Sequence, residues 1–240
     1  MNKINNILKY LDEIIPDPIC ELNYNKDYEL LIAVVLSAQT TDREVNKVTS
    51  VLFNKYSSLN TLKTAPVEDL IEILRPIGMN HKKALFVKQI AADLIDLYDG
   101  KVINDRKVLE SLSGVGRKTA SVVMTELFNE PYIAVDTHVA RVSKRLGLVL
   151  EKDNVLTIEN KLTKLIDSDK LARAHYQLIL FGRYYCTSPK PNCINCKLNK
   201  ICKYEKKTLL NSVFYTPGSS GFVSSSMIFI VLVYASAFSL

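Results

Sequence analysis

Tryptophan is absent from the 240 residues, histidine occurs three times, and glycine and proline number eight each. So few turn formers leave little punctuation for short strands, and apolar residues recur at three-and-four spacing instead, which predicts an all-α protein. His81, His138 and His175 stand too far apart in sequence to suggest a histidine metal site. Met1 to Asp27 shows no charged-then-apolar leader or small-residue cleavage site, which argues against an oxidising compartment and against reading the five cysteines as disulfides. No tandem repeat or low-complexity linker divides the chain before its tail. Charge is lacking altogether after Lys207, where Thr216–Ser226 is rich in Gly and Ser and leads into a mostly apolar Met227–Leu240. That last run is shorter than the roughly 20 residues a spanning helix needs. Membrane anchoring by residues 208–240 is therefore not expected, and no function is hung on this tail.

Lys and Arg total 31 against 25 for Asp and Glu, a formal charge of +6 and a pI near 8.9. Such an excess favours a polyanionic partner without naming it. The length suits one large core or two smaller lobes. Ile4, Ile7, Leu8, Leu11 and Ile14/Ile15 outline a first helix, closed by Pro16 and Pro18. Tyr28–Ala38 is apolar almost all round, a buried helix or a buried strand, with length favouring the helix. Further helices are predicted over 42–56, 66–74, 82–98, 117–128, 137–146, 155–166 and 169–185.

Three stretches carry chemistry. Cys186, Cys193, Cys196 and Cys202 form a C-x6-C-x2-C-x5-C run in which Pro189, Pro191, Asn192 and Asn195 let the backbone fold back on itself. Four converging thiolates hold either tetrahedral zinc or a [4Fe–4S] cube, and spacing only leans toward the cube. Cys20 has no partner pattern and is expected to be a buried apolar filler. Leu112-Ser113-Gly114-Val115-Gly116-Arg117-Lys118 is an L-x-G-x-G hairpin followed by basic residues. Its glycines are expected to permit positive φ and to bare backbone N–H groups at a helix start, where a phosphate binds. Val135-Asp136-Thr137-His138-Val139-Ala140-Arg141-Val142 places Asp136 before a helical period, as an N-cap whose carboxylate could also tune a nearby lysine.

These stretches, in this order and together with Leu36-Ser37-Ala38-Gln39-Thr40-Thr41-Asp42, resemble the endonuclease III family of DNA repair enzymes from about Leu30 to Cys202. The resemblance implies a two-lobed helix-hairpin-helix glycosylase fold over 1–207. Residues 22–134 would form a six-helix lobe bearing the hairpin, and 1–21 plus 135–207 a second lobe whose loop holds a [4Fe–4S] cluster on the four cysteines. It implies a bifunctional enzyme, monomeric and cytoplasmic at the nucleoid, that removes oxidised pyrimidines from double-stranded DNA and cleaves 3′ to the abasic site by β-elimination. Lys118 matches the nucleophile and Asp136 the assisting carboxylate. Leu112, Gly114, Gly116 and Arg117 would grip the DNA backbone, and Lys190, Lys197, Lys200 and Lys203 would extend that grip. Gln39 matches the side chain that fills the hole left by an extruded nucleotide. Met79 would wedge the opposite strand, unless it is a buried core methionine. Of the histidines, only His138 is expected beside the catalytic pair, as a hydrogen-bonding support. Two rivals remain: the adenine-removing mismatch glycosylase, which lacks the hairpin lysine, and a non-catalytic iron–sulfur DNA-binding protein.

Overall fold

The computed structural model describes residues 2–207, which contain eleven helices and no strand. The expectations placed on the tail lie outside these residues. Among the described residues no helix is long and apolar enough to cross a membrane.

The first helix, α1 (Lys3–Ile14), buries Ile4, Ile7, Leu8 and Leu11 on one stripe. Helix α2 (Asp27–Leu36) is buried on every side from Tyr28 onward, which settles the ambiguous apolar run as a central helix. Thr41 caps α3 (Asp42–Lys55) by accepting from the Glu44 amide. Then come α5 (Val67–Ile73), α6 (Asn80–Tyr98), α8 (Arg117–Phe128), α9 (Thr137–Arg145), α10 (Val155–Leu165) and α11 (Ser168–Tyr184), each within two residues of its predicted bounds. Two six-residue helices were not predicted, α4 (Leu59–Thr64) and α7 (Arg106–Ser111). Neither is long enough to show a period, and both are set by their caps. Ser58 and Thr61 form a reciprocal capping box, and Asp105 accepts from the amides of Lys107 and Val108.

Two hydrophobic cores result. The first runs from Leu22 through α2–α8 to Met124. The second joins Ile4–Ile15 of the N-terminus to Ile133, α9, α10, α11 and Leu198. Polar groups tie one to the other. Arg117 on α8 pairs with Glu159 on α10, and Arg183 on α11 pairs with Asp42 at 2.7 Å and with Glu21.

Candidate functional site

The hairpin leaves α7 through Leu112, whose side chain is buried in the first core, so only its backbone is available to a partner. The Val115 amide donates to the Leu112 carbonyl at 3.1 Å and closes the turn. Gly114 sits at φ +79, and a Cβ there would lie 2.5 Å from the Phe86 ring, so both backbone and space require glycine. Gly116 departs from expectation: it is extended at φ −99, ψ 178, and a Cβ on it would meet nothing within 4 Å. Its bareness serves no internal packing. As an N-cap without a side chain it leaves the first-turn amides of α8 open to an anion.

Arg117 is exposed, yet its guanidinium is already engaged: Nη2 and Nε donate to the Glu159 carboxylate at 2.8 and 3.2 Å. Its carbonyl accepts from Ser121 Oγ and from Arg106 Nη2, which fixes the start of α8 from behind. Lys118 follows, exposed on the first turn.

Lys118 and Asp136 line one cavity of about 210 Å³, together with Gln39, Asp42, His175 and Arg183. Asp136 does cap α9, accepting from the Val139 amide at 2.7 Å, which leaves its second oxygen for the cavity. His138 is not the histidine there. It packs over Gly182, where an added Cβ would meet it at 2.8 Å, and its Nδ1 lies 3.2 Å from Arg141 Nη2. The lining histidine is His175, 1% exposed, with neither ring nitrogen partnered among the described residues. Burial pushes its pKa down to about 4, so the ring is neutral at pH 7. The available signal was weak: His175 lies within the mostly apolar second half of α11, eight residues before Arg183, which lines the same cavity. Cys20 packs half-buried against the first core and also lines the cavity, and burial pushes its thiol up to about 11.

Gln39 and Met79 both stand on exposed turns with left-handed backbones, at φ 56 and φ 59. Met79 is 47% exposed, which removes the core-methionine alternative.

The four clustered cysteines line a second cavity of about 200 Å³ with Tyr10, Phe181 and Tyr185. None is disulfide-bonded. Arg145 Nη1 donates to the Cys186 sulfur at 3.4 Å and to the Thr187 carbonyl, and Arg141 donates to the carbonyls of Gly182 and Cys186. Helix α9 thus carries Asp136 at one end and pins the cysteine loop at the other. Among the described residues no three Cys, His, Asp or Glu side chains converge closely enough for a single metal ion. Four thiols around a cavity of this size fit a polynuclear group. Of the loop lysines, Lys197 pairs with Glu13 at 2.6 Å, so its charge is partly spent.

Residues 32–168 match the HhH-GPD superfamily base excision DNA repair protein family. Endonuclease III of Bacillus subtilis is 41% identical over 207 residues, 86% of this chain and 94% of that protein. Endonuclease III of Escherichia coli is 41% identical over 86% of this chain and 99% of its own. Among solved structures, a trapped endonuclease III–DNA covalent intermediate superposes with a TM-score of 0.80 at 45% identity, over 85% of this chain and 96% of that one.

Proposed function

We infer that this chain, which belongs to the HhH-GPD superfamily and within it to the endonuclease III family, is a base-excision DNA glycosylase and abasic-site lyase acting on damaged double-stranded DNA. The observation that carries the assignment of roles is the shared cavity: Lys118, on a hairpin whose open amides suit a phosphate, and Asp136, fixed at the N-cap of α9, face one space.

The Lys118 amine, once unprotonated, attacks C1′ of an extruded nucleotide, and the base leaves with its bonding pair. Asp136 stabilises the positive charge that gathers on the sugar and helps move the amine proton. The sugar ring then opens, the C1′–O4′ bond breaking as O4′ takes a proton, and leaves a C1′ iminium that acidifies C2′; loss of that C2′ proton expels the 3′ phosphate and cuts the strand. Oxidised pyrimidines are the proposed bases. Gln39, at the lip of the cavity, fills the vacated stack while Met79 wedges the other strand. The amides after Gly114 and Gly116 hold the backbone, as does Arg117 when it exchanges Glu159 for a phosphate.

The four cysteines would hold a [4Fe–4S] cluster, which when bound cross-links the loop after α11. Arg141 and Arg145 orient that loop from α9. A monomer working at the nucleoid completes the reading. The adenine-removing and non-catalytic alternatives are not favoured, since the relatives are endonucleases III and Lys118 is present.

Borohydride trapping on an abasic duplex tests the assignment. Wild-type protein is expected to form a covalent adduct, and Lys118→Gln to form none while still binding the duplex. An adduct with Lys118→Gln would remove Lys118 from its role.

A further inference from the structure

Four non-glycine residues of the described chain hold positive φ: Gln39, Met79, Asp99 and Asn129. Asp99 and Asn129 close α6 and α8, where a left-handed residue is an ordinary way to end a helix. Gln39 and Met79 have no such excuse. Gln39 lies inside the turn after α2, and Met79 stands at the N-cap of α6 without a side-chain cap bond. Backbones of this kind persist only where their surroundings over-determine them.

One residue ties the two segments together, through its side chain to the Gln39 turn and through its backbone to Met79. Lys83, in the first turn of α6, is 1% exposed. Its Nζ donates to the Ala38 carbonyl at 2.9 Å and to Thr40 Oγ1 at 3.0 Å, the residues on either side of Gln39. Its own amide donates to the Met79 carbonyl at 2.9 Å. Its ammonium makes no ion pair among the described residues, although burying a charge costs heavily unless it is well hydrogen-bonded. The ammonium therefore sits where a neutral residue would be cheaper, and what it accomplishes there is to lock the turn before one wedge from the helix that begins with the other.

We propose that Lys83 is a positioning residue that couples the Gln39 turn and the Met79 loop into one preformed double wedge. Extrusion of a nucleotide from a duplex then depends on Lys83, while chemistry at an already unpaired abasic carbon does not. This rests on the reading of Gln39 and Met79 as the side chains that enter the DNA stack. If one wedge is released, the other loses the fixed spacing that lets both enter together, and the ordering cost falls on the encounter with DNA.

The test uses full-length protein and two substrates. Lys83→Met keeps the stem and the helix bond to the Met79 carbonyl, and removes the two side-chain hydrogen bonds to the Gln39 turn. Single-turnover excision of an oxidised pyrimidine paired in a duplex is expected to fall about 10- to 100-fold, the scale set by misplacing a positioning group by about 1 Å. Borohydride trapping on a single-stranded abasic oligonucleotide is expected to keep its wild-type rate. Equal loss on both substrates marks a merely structural lysine and overturns the proposal, as does undiminished excision on the duplex. Thr40→Val removes one acceptor and leaves the lysine in place; it should shift the duplex rate in the same direction by less, and it carries the comparison if Lys83→Met does not fold. Gln39→Ala separates the two layers of the argument. If it leaves duplex excision unchanged the wedge reading itself fails, whereas a slow Gln39→Ala beside a normal Lys83→Met sinks only the coupling.

Discussion

Acid should unfold this protein through His175 before the carboxylates are exhausted. The ring is 1% exposed, neither nitrogen has a partner among the described residues, and desolvation holds its pKa at about 4 against an unfolded value near 6.5. Above pH 6.5 both states carry the neutral ring and the group contributes nothing to the pH dependence. As pH falls from 6.5 toward 4 the unfolded chain takes a proton that the folded chain refuses, so stability is lost at about 1.4 kcal/mol per pH unit. Over the 2.5 units between those values the loss is roughly 3 kcal/mol, a large share of the 5–15 kcal/mol typical of a folded domain. Below pH 4 both states are protonated and the contribution levels off. His175→Phe keeps an aromatic ring and removes the proton site. The assay is urea unfolding of both proteins at half-unit steps from pH 7.5 to 4.5, taking the difference so that other titrating groups cancel. The variant should be less sensitive to acid, with the gap growing only below pH 6.5. Parallel curves across the whole range would refute the claim that His175 is buried neutral and unpartnered.

The two hairpin glycines should fail differently. Gly114→Ala meets both a left-handed backbone and the Phe86 ring, and should destabilise the fold by about 1–2 kcal/mol or more in denaturant unfolding, whereas Gly116→Ala should unfold like wild type but bind duplex DNA more weakly. Asp136→Asn keeps the helix cap and is expected to cut turnover by about 10²-fold or more with little change in stability; near-normal turnover would reduce Asp136 to its cap. Purified protein should be yellow-brown with about four irons per chain, and Cys196→Ser should bleach it and weaken DNA binding; a colourless, zinc-loaded and active preparation would contradict the cluster.

The helices, the hairpin and the Asp136 cap were legible in the chain because each depends on neighbours a few residues away. A 3.6-residue period needs only its own segment, and an N-cap reaches three residues on. The cysteine run was legible for the same reason, since its spacing is local even if its occupant is not. The short helices α4 and α7 escaped because six residues hold too little period and only their caps betray them. The sequence also placed Lys118 and Asp136 as a pair, by resemblance and not by physics. What the tertiary structure alone decided are the partnerships between distant segments. Glu159 meets Arg117 across 42 positions, Lys83 meets the Gln39 turn across more than 40, and α11 turns His175 instead of His138 toward the cavity. No local rule contains these, because burial energy is nearly indifferent to which helix covers which face, and the choice is made only when two cores pack at once and every buried polar group must find its partner or go without.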